Sequence, residues 1–122
     1  SDFIVVAVDL NHDSQALIGE VQFDLMQKHA VFINIARGSV VDENALIDAL
    51  QQNKIFAAGL DVYAKEPLQS SALFELANVV TAPHIGSATV ETRKKMVDLA
   101  YQNLIDALED RTPRYLVNPK FE

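Results

Sequence analysis

Residues 30–50 read AVFINIARGSVVDENALIDAL, and this stretch decides the fold. Val31 to Ile35 is a short apolar run, partly β-branched and bounded as a buried strand should be. A tight polar turn follows, Ala36-Arg37-Gly38-Ser39, and Asp42 then opens a segment of helical period. Asp42 suits an N-cap, Glu43 favours the positive end of a helix, and Ala45, Leu46, Ala49 and Leu50 share one face. The stretch is therefore strand, loop, helix, with Arg37 as the single cation at the turn. In open α/β sheets ligands bind outside the carboxyl ends of the strands, and Arg37 falls there.

Upstream, Asp2 to Val8 (DFIVVAV) is a second apolar run, patterned as a strand buried on both faces. A polar connection, Asp9 to Gly19, leads to a short helix over Glu20 to Lys28 with Val21, Leu25 and Met26 inward. Downstream, Ile55 to Val62 is a third run, whose Ala57, Ala58 and Gly59 suggest close packing of a helix on the sheet. Tyr63 to Ser71 is a loop, and Ser71 precedes a short helical turn. Asn78 to Ala82 is a fourth strand, halted by Pro83. Thr89 or Ser87 caps a last helix running to about Asp110, with Val97, Ala100, Leu104 and Leu108 as its buried stripe. From Arg111 the chain is extended, with two prolines.

Strands alternating with helices at this spacing predict an α/β fold in three layers. Its sheet is parallel, with right-handed crossovers and helices on both faces. The chain looks like half of a doubly wound sheet. The phosphate-gripping G-x-G-x-x-G turn of such sheets is missing, because Gly19, Gly38, Gly59 and Gly86 are not spaced to make it.

The 122 residues are 49% hydrophobic and 22% charged, the composition of one ordinary globular domain. A net charge of −7 without a basic stripe argues against nucleic acid or an anionic membrane as partner. The lack of cysteine excludes disulfides and thiolate metal sites, and fits a reducing, cytoplasmic setting. There is no signal peptide and no apolar run near 18 residues. A strand starting almost at Ser1 suggests a fragment.

If the four strands are parallel, one edge carries Asp9, Arg37, Asp61, Glu66 and His84. Each has a plain reading and a chemical one. Asp9 points to solvent, or weakens dinucleotide binding by repelling phosphate. Arg37 is a surface loop cation, or a fork that holds a planar carboxylate by two parallel hydrogen bonds; Gly38 permits an unusual turn there. Asp61 ends an apolar strand, as a cap or as an acceptor for a ligand amide. Glu66, before Pro67, is loop chemistry or a partner for His84. His84, between Pro83 and Ile85-Gly86, is structural, or a general acid if a carboxylate nearby favours its imidazolium. His12 and His29 read as surface residues, and Asp42, Glu43 and Asp48 as a wet helix face. No two histidines fall at metal-ligand spacing on one element, so no metal site is expected.

INIARGSVVDENALIDAL, then AAGLDVYAKEPL, then NVVTAPHIGSAT, resemble the D-isomer-specific 2-hydroxyacid dehydrogenases. PHIGSAT with the ETR run and the LVNP tail looks most like the glyoxylate/hydroxypyruvate/2-ketogluconate reductase group. The resemblance covers nearly the whole chain and implies NAD or NADP as cofactor and a small 2-keto or 2-hydroxy acid as substrate. It implies that Arg37 binds the substrate carboxylate, His84 is the general acid/base, and Glu66 orients and charges His84. It also implies that Asp61 meets the nicotinamide carboxamide, with Ile35, Ala36, Arg37 and His84 through Gly86 to Ser87 on the cofactor side. Formate dehydrogenases of this superfamily pair the histidine with Gln, so Glu66 favours the hydroxyacid reading. One departure is Asp9-Leu10-Asn11, where the family usually has Pro then Thr in a loop near the adenosine.

By this resemblance residues 1–110 are the second half of a Rossmann-type NAD(P)-binding domain, and 111–122 are a tail that packs on a separate substrate domain. The chain alone is then expected to be inactive, and to self-associate as a homodimer or otherwise, by pairing its exposed strand edge or by burying the stripe of the final helix. The alternative is an NAD(H)-sensing binding protein, since some transcriptional corepressors resemble the same family.

Overall fold

The computed structural model describes residues 1–117. The chain divides after Gly86 into two units. In the first, β1 (Phe3–Val6), β2 (Val31–Asn34), β3 (Ala57–Leu60) and β4 (Val79–Thr81) form one sheet in chain order, with every pairing parallel. Val6, Asn34, Leu60 and Thr81 stand in one row across it, so the segments after β2, β3 and β4 all leave from the same edge. This is the parallel α/β half-sheet that the alternation predicts.

Two short helices, α1 (Glu20–Asp24) and α2 (Glu43–Gln51), cover one face. Phe23, Leu46, Ala49 and Leu50 bury against Val6, Phe32, Ala58 and Leu60, alternate positions of the strands. The Phe23 and Phe32 rings meet edge-to-face with centroids 5.2 Å apart. Asp42 caps α2 as expected, its Oδ1 accepting the Asn44 and Ala45 N–H groups.

Four expectations are corrected here. In β1, Phe3 is 68% and Val5 54% exposed, so the strand is not buried on both faces. Successive crossovers of one hand between neighbouring strands put α1 and α2 on the same side, and within this unit the other face stays open. On that open face lies Gly59, where a Cβ would find only Ile33 Cγ1, at 3.9 Å; no helix of this unit packs there. In α1 the inward residue is Phe23, while Val21 is 66% and Leu25 79% exposed; of the three residues expected inward only Met26, just past the helix, packs partly buried against the core. Gln22 Oε1 accepts the Gly19 N–H at 2.9 Å, which starts the helix at Glu20 and turns the largest apolar side chain to the core.

The second unit holds α3 (Val90–Leu108), capped by Thr89, whose Oγ1 accepts the Thr92 N–H. Its expected buried stripe is exposed at Val97, Ala100, Leu104 and Leu108, because the described residues of that unit contain no second helix or strand to cover it. Residues 111–117 form neither helix nor strand, and the remainder of the expected 111–122 tail lies outside the described residues. No described helix is long and apolar enough to cross a membrane.

Candidate active site

The carboxyl edge of the sheet carries three loops. The first follows β2. Asn34, buried at its end, turns back to accept the Ala36 N–H through Oδ1 (3.0 Å) and to donate from Nδ2 to the Arg37 carbonyl (3.1 Å). This closes the turn, leaving Ile35 exposed, Ala36 buried and Arg37 out at the surface. The Arg37 guanidinium donates to the Ala36 carbonyl at 2.7 Å, and its other N–H groups have no partner among the described residues. Gly38 serves this turn differently from expectation. Its backbone has no positive φ; a Cβ on it would instead stand 1.8 Å from the Tyr63 carbonyl carbon. Space, not conformational freedom, requires glycine there.

The second loop follows β3. The Tyr63 N–H donates to Glu66 Oε1 at 3.0 Å, and the buried Tyr63 hydroxyl lies 3.1 Å from the Leu60 carbonyl and 2.7 Å from that of Ala82. One phenolic proton serves two strand ends, and burial pushes the Tyr63 hydroxyl pKa up. Sequence reasoning passed over Asn34 and Tyr63; a polar side chain ending an apolar strand, with a partner required on burial, was the available signal.

The third loop follows β4 and brings His84 to Glu66. Glu66 Oε2 lies 2.7 Å from His84 Nδ1. A carboxylate only accepts, so Nδ1 carries the proton and Nε2 is the nitrogen left for chemistry. The His84 bond and the Tyr63 N–H hold the Glu66 carboxyl below the usual carboxylate range, with a smaller pull from the Arg37 charge. His84 has φ +54°, a left-handed backbone that costs a non-glycine residue about 1–3 kcal/mol and is found at functional sites. Asp61 secures the next two residues, Oδ1 accepting the Ile85 N–H and Oδ2 the Gly86 N–H, both at 2.8 Å.

Arg37, Asp61, Glu66, His84 and Gly86 thus share one edge, and hydrogen bonds join Glu66 to His84 and Asp61 to the residues after it. Ser87 opens the second unit. Asp9 takes no part in these bonds; its carbonyl accepts the Ser14 hydroxyl at 2.5 Å. The described residues contain no cluster of three metal-ligating side chains.

This parallel sheet with its loops at one edge is the Rossmann-type half of a dinucleotide-binding domain. Residues 1–86 match the D-isomer specific 2-hydroxyacid dehydrogenase family in its NAD binding domain, and the chain belongs to that family. It is 51% identical over 121 residues to glyoxylate/hydroxypyruvate reductase B of Salmonella newport, covering 98% of this chain and 37% of the relative. Among solved structures, it is similar to a putative D-isomer specific 2-hydroxyacid dehydrogenase from Polaromonas (36% identity, TM-score 0.89, covering 96% and 37% of the two chains). It is also similar to an NADPH-dependent glyoxylate/hydroxypyruvate reductase from Sinorhizobium meliloti, solved with NADP and malonate (38% identity, TM-score 0.85, covering 88% and 34%). The chain spans little more than a third of the length of the relatives it matches.

Proposed function

We propose that this chain is the catalytic segment of an NAD(P)-dependent D-2-hydroxyacid dehydrogenase, one that reduces small 2-keto acids of the glyoxylate, hydroxypyruvate or 2-ketogluconate type. The 2.7 Å bond between His84 Nδ1 and Glu66 Oε2 carries this reading, because it presents the opposite imidazole nitrogen at a sheet edge that also bears Arg37. The Arg37 fork grips the substrate carboxylate and draws electron density from the adjacent carbonyl. His84, oriented by Glu66, passes its Nε2 proton to the carbonyl oxygen as hydride reaches C2 and the carbonyl becomes a hydroxyl, and takes it back in oxidation. General acid catalysis of this kind contributes roughly 10²–10⁴-fold.

Bound NAD or NADP supplies the hydride. The residues present fit its nicotinamide end: a shallow apolar notch of about 270 Å³ is lined by Ile33, Ile35, Gly59, Ala82 and Ile85, with Asp61 beside them. Gly59 leaves room for a flat ring, and the Asp61 carboxylate has lone pairs beyond the two already used to accept a carboxamide N–H. Ala36, Arg37, His84 and Gly86 border the same edge, and Ser87 follows Gly86 in sequence. The glycine fingerprint for the pyrophosphate is not among the 122 residues, so the chain alone is expected to be inactive.

The test replaces the matching segment of the Salmonella reductase with this chain and follows NADPH and NADH oxidation with glyoxylate and hydroxypyruvate. Turnover is expected, with His84→Gln lowering kcat by about 10²-fold or more. An active replacement enzyme indifferent to His84→Gln would sink the assignment, and turnover by the chain alone would sink its predicted inactivity.

A further inference from the structure

Glu43, the first residue of α2, is half-buried, and its Oε2 accepts the Ala64 N–H at 3.1 Å across 21 residues of chain. The neighbouring Tyr63 N–H holds Glu66 Oε1, and Glu66 Oε2 holds His84. Gly38 lies under the same peptide, where a Cβ would stand 2.3 Å from the Ala64 nitrogen. The helix end is itself fixed, by the Asp42 cap and by Leu46, Ala49 and Leu50 in the core. A glutamate on a wet helix face has no such partner; this one fastens the Glu66 loop down on the Arg37 turn.

Resting on the reductase reading, we propose that Glu43 is a positioning residue, which sets the height of the Tyr63–Glu66 loop and so the aim of Glu66 at His84. Without it the loop lifts from α2, the Tyr63 N–H and Glu66 move together, and the imidazole loses its fixed orientation. The role needs an acceptor of the right reach rather than a charge, so Gln should serve and Asp, one methylene shorter, should not.

In the Salmonella enzyme carrying this chain, Glu43→Ala should lower kcat/KM about tenfold with KM for NADPH unchanged, within the roughly 100-fold that a 1 Å misplacement costs. Glu43→Gln should restore most of the loss, and the fall of kcat/KM with rising pH should begin earlier in Glu43→Ala. In this chain by itself, carbon NMR of the Glu66 carboxyl should show it titrating at higher pH in Glu43→Ala and not in Glu43→Gln. Should Glu43→Ala fail to fold, Glu43→Asp is read in the same way. A lowered Tm with the Glu66 titration and the pH profile both unmoved would overturn the proposal and leave Glu43 merely structural. An inactive replacement enzyme would count against the reductase reading, and the Glu66 titration would then decide the part played by Glu43.

Discussion

Gly38 lies directly under the Tyr63 carbonyl: a Cβ on Gly38 would stand 1.8 Å from the carbonyl carbon and 2.0 Å from its oxygen. This contact presses the turn bearing Arg37 against the loop bearing Glu66. Gly38→Ala therefore forces the two loops apart and should cost roughly 1–3 kcal/mol or more, as overpacking does. Urea denaturation measures it, and an unchanged midpoint would show that the loops yield freely.

The core and the surface of α1 should respond oppositely. Phe23→Ala removes the ring that meets Phe32 and should destabilise by about 3–5 kcal/mol. Val21→Ala and Leu25→Ala, on the exposed side, should stay within about 0.5 kcal/mol of the parent. Equal losses at Phe23 and Leu25 in the same urea series would contradict the orientation of this helix.

The pair of Glu66 and His84 should leave a signature at acid pH. The folded protein holds the Glu66 carboxyl below its ordinary value of 4.5, so its contribution is full above that value and is lost as pH falls through the depressed one. The stability difference between parent and Glu66→Gln should follow that course. It should be small, under about 1 kcal/mol, since the Glu66 side chain is 35% exposed. A difference independent of pH from neutrality down to acid unfolding would refute it.

Asp61 holds the segment after His84 through two backbone amides. In Asp61→Ala, hydrogen exchange at Ile85 and Gly86 should accelerate about tenfold or more, the equivalent of roughly 1.4 kcal/mol. Asp61→Asn keeps one acceptor and should protect one of the two amides. If both exchange as slowly in Asp61→Ala as in the parent, something else secures the loop.

Among the described residues β1 pairs only with β2, and it exposes Phe3 and Val5 beside its open edge. Such an edge recruits another chain, and sedimentation should show association that rises with concentration. Val5→Lys should abolish it. A single monomeric species for the parent at working concentration would be the contrary result.

Periodicity and turn chemistry are local, and what depends on them was legible in the sequence: the four strands, the Asp42 cap, the short helical turn that Ala72–Glu75 forms after Ser71, and the parallel pairing, while the last helix's cap was narrowed to Thr89 or Ser87 and is Thr89. The edge residues Arg37, Asp61, Glu66 and His84 were legible too, since a parallel sheet brings every strand's carboxyl end to one side. Which face of α1 is buried, which sheet face stays open and why Gly38 is glycine were decided only in three dimensions. They depend on contacts between different elements and loops, Phe23 of α1 with Phe32 of β2 and Gly38 with Tyr63. Glu43 shows the same division. Its place at a helix start follows from its neighbours, whereas its bond to Ala64 exists because β3 returns the chain beside α2.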